Sequence, residues 1–156
     1  MPRPSVEDLW NLFSYDPITG EFNVLGEGRV RTRRGYLVVS IGRTQIAVAT
    51  IIWAMMTGEY SKKTIDHEDL DPSNNRWRNL REANQAQQQA NRRLFKNNKS
   101  GYRGVYLHPS GRYEAYVRFD KKTHYLGTFD SPKEAAKVVQ EIRETRWGKF
   151  AGTATL

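Results

Sequence analysis

The sequence predicts an α+β protein, and two observations carry that prediction. Residues 102–107, 113–119 and 122–129 read as three strands separated by turn residues, with one helix after them. Residues 36–41 and 44–48 read as a hairpin about Gly42-Arg43, followed by a short apolar helix. Strands therefore come in runs ahead of helices instead of alternating singly with them.

Taken in order, Ser5 reads as an N-cap, and Val6, Leu9, Trp10 and Phe13 recur at helical spacing. Trp10 and Trp53 are assigned to the core. Asp16-Pro17-Ile18-Thr19-Gly20 is a turn, and residues 21–25 a strand. Residues 29–34 form a basic loop, either a solvated turn or a contact for phosphate. Val48, Ile51, Ile52 and Met55 mark a buried helix that stops at Gly58. A polar helix is expected over about 83–95. It puts Asn84, Gln88 and Asn91 on one face and Ala83, Ala86, Ala90 and Leu94 on another. Near the C-terminus, Ser131-Pro132-Lys133-Glu134 opens a capped helix with Pro in its first turn. Ala135, Val138, Val139 and Ile142 give that helix one apolar side.

Charge narrows the function. The 156 residues carry 25 Lys and Arg against 17 Asp and Glu, a formal charge of +8. A chain this basic is expected to meet a polyanion. Residues 1–95 hold 13 basic and 11 acidic side chains, whereas residues 96–156 hold 12 and 6. The shift falls at the polar segment 96–101, which reads as a linker between domains over 1–95 and 102–151. The absence of cysteine excludes disulfides, thiolate–zinc sites and thiol catalysis. The longest apolar stretch, residues 46–56, is too short for a membrane span, and no apolar run follows the N-terminus as a signal peptide requires. A cytoplasmic protein with no membrane partner and no small-molecule cofactor is expected; nothing in the sequence sets its oligomeric state.

Chemistry concentrates at Asp66-His67. Asn79 follows His67 by 12 residues, and Gln88 follows Asn79 by 9. Phosphodiester hydrolysis needs a base to deprotonate water and a cation at the phosphate, and an adjacent Asp–His pair at a strand end offers a side chain to each role. His108 and His124 read as surface residues.

The segment Ile65-Asp66-His67, Asn74-Asn75-Arg76-Trp77-Arg78-Asn79-Leu80-Arg81-Glu82-Ala83 and Gln87-Gln88-Gln89-Ala90-Asn91 resembles the HNH endonucleases of phage and homing type, which have a β-β-α-metal fold. Tyr15-Asp16, Thr19-Gly20-Glu21-Phe22, Trp53 and Thr57-Gly58 match the same family, so the resemblance covers roughly residues 8–95. It implies that His67 is the general base, that Asp66 is a ligand of a divalent ion (Mg²⁺ or Mn²⁺), and that Asn79 braces the loop carrying the base. Asn75 and Arg76 fall in the framework near the substrate. The third motif position carries Gln88 where relatives have His or Asn as metal ligand, and Ala49-Thr50 stands where relatives have His-Arg.

In the second half, alternation over 113–119 places Tyr113, Ala115, Val117 and Phe119 on one face and Glu114, Tyr116 and Arg118 on the other. Tyr102-Arg103-Gly104-Val105, Gly111-Arg112-Tyr113-Glu114-Ala115-Tyr116-Val117-Arg118, Tyr125-Leu126-Gly127-Thr128-Phe129-Asp130 and Glu134-Ala135-Ala136 resemble the Apetala-two (ethylene-response-factor) DNA-binding domain over about residues 100–151. The resemblance implies a three-stranded antiparallel sheet backed by a helix, with the sheet in the major groove. Arg103, Arg112, Arg118, Tyr116 and Tyr125 become the DNA contacts; Tyr106 replaces an arginine of the plant members. The resulting expectation is a DNA-binding, metal-dependent HNH endonuclease acting on double-stranded DNA. Its rival is a catalytically impaired nuclease scaffold that binds DNA.

Overall fold

The computed structural model describes residues 3–92, 94 and 98–152. Arg93 and Phe95 of the expected polar helix, and Lys96 and Asn97 of the expected linker, lie outside them. The chain divides into two compact units, Met1–Gln85 and Ala86–Leu156. None of the helices among the described residues is long and apolar enough to cross a membrane.

The first unit opens with α1 (Val6–Leu12), whose Ser5 cap accepts from the Asp8 N–H at 3.2 Å. Strands β1 (Phe13–Tyr15) and β2 (Phe22–Val24) then form an antiparallel pair. A three-stranded sheet follows in the order β3 (Arg29–Arg33), β4 (Tyr36–Ile41), β5 (Thr44–Ala47). The stretch expected to be a basic loop is thus an edge strand: Val30 and Thr32 are strand formers, and the whole run pairs with β4. Arg34 (φ 52°) and Gly35 (φ 87°) close this hairpin in the left-handed region, as a two-residue type I′ turn requires.

Helix α2 (Val48–Thr57) is apolar on nearly every side and so becomes the centre of the unit. Ile51, Ile52 and Val48 are fully buried among Leu9, Phe13, Val39, Ile65 and Leu80. Trp53 packs on Trp77 with ring centroids 5.1 Å apart. Trp10, expected in the core, is 51% exposed. Leu9 takes the inward position, and one residue further round the helix faces solvent.

Strand β6 (Thr64–His67) pairs antiparallel with β7 (Leu80–Ala83), which sets Asp66 opposite Arg81 and His67 opposite Leu80. Helix α3 spans only Gln85–Ala90. The expected helix over 83–95 is shorter because Ala83 is committed to the β7 ladder. Of the alanine face, Ala90 is buried but Ala86 is exposed, and Asn91 of the other face is buried.

In the second unit, β8 (Val105–Leu107), β9 (Tyr113–Phe119) and β10 (Lys122–Phe129) form an antiparallel sheet in the order β10-β9-β8. Helix α4 (Pro132–Trp147) packs on its inner face, capped by Ser131 with Pro132 in the first turn. Ala115, Ala135 and Ala136 bury little volume each, but they let the helix approach closely beside Val105 and Val139. The first strand starts at Val105, not Tyr102, because Gly101 and Gly104 turn the chain at φ 74° and 71°.

Candidate functional site

His67 ends β6 at 5% exposure, and its Nε2 lies 3.2 Å from the Asn75 side-chain oxygen Oδ1. The Tyr36 ring stands against the imidazole, centroids 5.9 Å apart and tilted by 58°. Asn75 is itself buried and held from two sides. Its carbonyl accepts from the Tyr15 hydroxyl at 2.7 Å, and its Nδ2 donates to the Ser73 carbonyl. Burial, with Asp16 nearby, pushes the Tyr15 hydroxyl up to about 12, so it stays protonated and donates throughout the ordinary pH range.

The loop from Glu68 to Asn75 is held by Asn79. The Asn79 side-chain oxygen accepts from the Asp69 N–H at 3.0 Å. Its Nδ2 donates to Asp69 Oδ1 at 2.9 Å and to the Asn74 carbonyl at 2.7 Å, while its own carbonyl accepts from the Glu68 N–H at 2.9 Å. Each end of the loop is therefore tied to one buried residue. Arg76 follows the loop with an exposed side chain, and the Trp77 N–H donates to the Pro17 carbonyl, which docks the β1–β2 turn here.

Burial raises the Asp69 carboxyl, but hydrogen bonds from the Asp71 N–H, Asn74 and Asn79 outweigh it and leave the group below its ordinary 3.8. A lowered folded pKa adds stability that is complete above the unfolded value and is lost as pH falls through the folded one. Melting curves of the protein and Asp69→Asn are thus expected to differ at neutral pH and to converge below 3.8. A gap that widens on acidification would contradict this sign.

Asp66 faces a different partner. The Arg81 guanidinium is buried opposite it, with Nε at 3.2 Å from the Asp66 carboxylate and Nη1 at 3.4 Å from Glu68. A cation of the chain's own thus bridges the two carboxylates that flank His67 in the chain. Among the described residues no group of three or more His, Cys, Asp or Glu is placed to hold a metal ion. Gln88 sits half-buried in α3, in the second unit.

The second unit presents the outer face of its sheet. Tyr106 and Tyr125 are 58% and 57% exposed, and Tyr116 lies between them at centroid distances of 5.8 and 5.4 Å. Arg118 is exposed in the same strand as Tyr116. Arg112 is exposed but ion-paired with Asp130 at 2.8 Å. Arg103 turns inward: its Nη1 donates to the Ala90 carbonyl at 2.8 Å, and burial, with Arg92 nearby, lowers its pKa. Arg143 meets the same carbonyl at 2.7 Å. His108 is exposed, as expected, whereas His124 stacks flat on Phe119 at 3.8 Å.

Sequence reasoning brought His67, Asn75 and Asn79 to one locus, and the structure places them together. It missed Tyr36, Tyr15 and the Arg81 bridge. The Asp66–Arg81 pairing was recoverable only from the hairpin register, which no local pattern encodes.

Residues 47–90 match the family model of the HNH endonucleases, a segment of 44 of the 156 residues that runs from the end of β5 to the end of α3. No solved structure matches the chain. The stretch that carries His67, its bracing loop and the Arg81 bridge is thus similar to an HNH endonuclease.

Proposed function

We propose that the protein is a DNA endonuclease in which the first unit hydrolyses a phosphodiester and the second holds double-stranded DNA. The observation that carries this reading is the fixed His67–Asn75 pair within a loop braced by Asn79, inside the segment similar to HNH endonucleases. With Asn75 Oδ1 accepting from Nε2–H, the neutral ring carries its lone pair on Nδ1. His67 then takes a proton from water at Nδ1 while the water oxygen attacks phosphorus; the bridging P–O bond breaks with its electron pair on the leaving sugar oxygen, which takes a proton from solvent water. Tyr36 and Asn75 hold the ring in place for that transfer.

The family similarity brings a divalent ion, Mg²⁺ or Mn²⁺, with Asp66 and Gln88 as its assigned donors. The donor set does not fit it as folded, because Arg81 already neutralises Asp66 and Glu68. No step is therefore routed through the ion.

For the second unit we propose an Apetala-two type of DNA-binding domain. Its support is the three-stranded order with α4 behind, the outer face of Tyr106, Tyr116, Tyr125 and Arg118, and the charge. Residues 86–156 hold 14 basic and 6 acidic side chains, whereas residues 1–85 hold 11 of each. The whole excess of +8 belongs to this unit.

The Arg81 bridge and Gln88 favour a second reading, a binding scaffold that does not cut. Supercoiled plasmid incubated with the protein in Mg²⁺, in Mn²⁺ and in EDTA separates the two. Nicking or linearisation supports the nuclease, and the EDTA lane decides whether it needs the ion. An inert protein that shifts duplex DNA in a gel, and gains cutting in Gln88→Asn, is the scaffold.

A further inference from the structure

Strand β3 carries Arg29, Arg31 and Arg33 at every second position, so all three stand on one face of the sheet. All five residues of the strand are exposed, and β3 is the edge of its sheet. Opposite them on the same face are Ser40, Val38 and Tyr36 of β4. Arg33 Nη1 donates to Gln45 at 3.1 Å, a neutral partner. Among the described residues no carboxylate forms an ion pair with any of the three. Residues 1–85 balance 11 basic against 11 acidic side chains, so this row is a local concentration of charge in a neutral unit.

Two neighbours fix where the row leads. Arg33 pairs with Tyr36, whose ring stands 5.9 Å from that of His67. At the hairpin tip, a Cβ on Gly35 would lie 3.1 Å from Pro72 in the loop braced by Asn79. One end of the arginine row therefore adjoins His67, and the other runs away from it. Two-residue steps along a strand span about 6.8 Å. At that spacing each of the three guanidinium groups can meet a different phosphate of one DNA strand.

We propose that the β3 arginine face is a phosphate-binding track that lays the backbone of duplex DNA along the sheet and leads one strand to His67. The proposal rests on the nuclease reading of His67. A membrane surface fits less well, since anchoring there needs large apolar groups beside the charges. The large apolar groups on this face are Val38 and the half-exposed Tyr36, too few for such an anchor.

The test is fluorescence anisotropy of a fluorescein-labelled duplex with the full chain in EDTA, over a series of KCl concentrations. The protein is compared with Arg29→Gln/Arg31→Gln/Arg33→Gln and with Lys62→Gln/Lys133→Gln/Lys137→Gln, which removes the same charge from other exposed sites. Melting curves check that both variants fold. The slope of log K against log salt is expected to shrink by about 2.7 in the arginine variant, about 0.9 for each phosphate no longer neutralised. Affinity should fall about tenfold or more, the lysine variant should stay near the parent, and a triple Arg→Lys variant should recover most of the slope. Parent-like binding by the arginine variant overturns the track and leaves the nuclease reading standing, as does an equal loss in both glutamine variants. Loss of binding to phosphatidylserine vesicles with unchanged DNA isotherms overturns it in favour of a membrane face. A parent protein that neither binds nor cuts duplex DNA removes the nuclease reading and the track together.

Discussion

Asn79→Ala is expected to melt about 10 °C or more below the parent and to lose at least about tenfold in cleavage rate. Three side-chain hydrogen bonds disappear, to the Asp69 N–H, the Asp69 carboxylate and the Asn74 carbonyl. At about 1 kcal/mol each, the loss is about 2–3 kcal/mol, and a unit of this size shifts by about 4–8 °C per kcal/mol. The residue is only 7% exposed, so water recovers little of that loss. Rate falls too, because the Asn74 carbonyl precedes the residue whose side chain orients His67. Asn79→Asp keeps the shape but removes both N–H donors and sets a charge against Asp69, so it should be at least as damaging. Parent-like melting of either variant would show that the loop is held from elsewhere.

Gly104→Ala should damage the second unit more than any exposed substitution there. Gly104 sits at φ 71°, and a Cβ on it would press into the Tyr116 carbonyl oxygen and lie 3.2 Å from Val139 Cγ1. The same residue's carbonyl accepts from the Tyr116 N–H at 2.7 Å, so the turn cannot retreat without giving up that bond. Left-handed strain of about 1–2 kcal/mol adds to an overpacking cost of about 1–3 kcal/mol. Amide hydrogen exchange should accelerate through β8, β9 and β10. Unchanged protection at Tyr116 and Val117 would contradict the close approach.

Elements specified by neighbours in the chain were legible in the sequence. Ser131 and Pro132 announce the start of α4, alternation over 113–119 separates Ala115 and Val117 from Tyr116 and Arg118, and the Val48, Ile51, Ile52, Met55 stripe marks α2. Elements decided by pairing were not. Arginines at 29, 31 and 33 look like a solvated loop until β4 supplies their hydrogen bonds. Ala83 looks helical until β6 claims it, and Trp10 looks like core until Leu9 and Phe13 fill that space. At the candidate site, spacing brought out His67 and Asn79, but not the cation between Asp66 and Glu68. Arg81 lies 15 residues from Asp66 in the chain and reaches it only through the hairpin register.

The role given to His67 is tested most directly by the single-turnover rate of supercoiled-plasmid cutting in Mg²⁺, for the parent and His67→Ala side by side, with duplex affinity measured for both. If the imidazole takes the proton from water, the variant binds duplex DNA as the parent does and cuts it about 10²–10⁴ times more slowly, the usual range for a lost general base. Equal cutting rates at equal binding would contradict it and move the chemistry away from the β6–β7 hairpin.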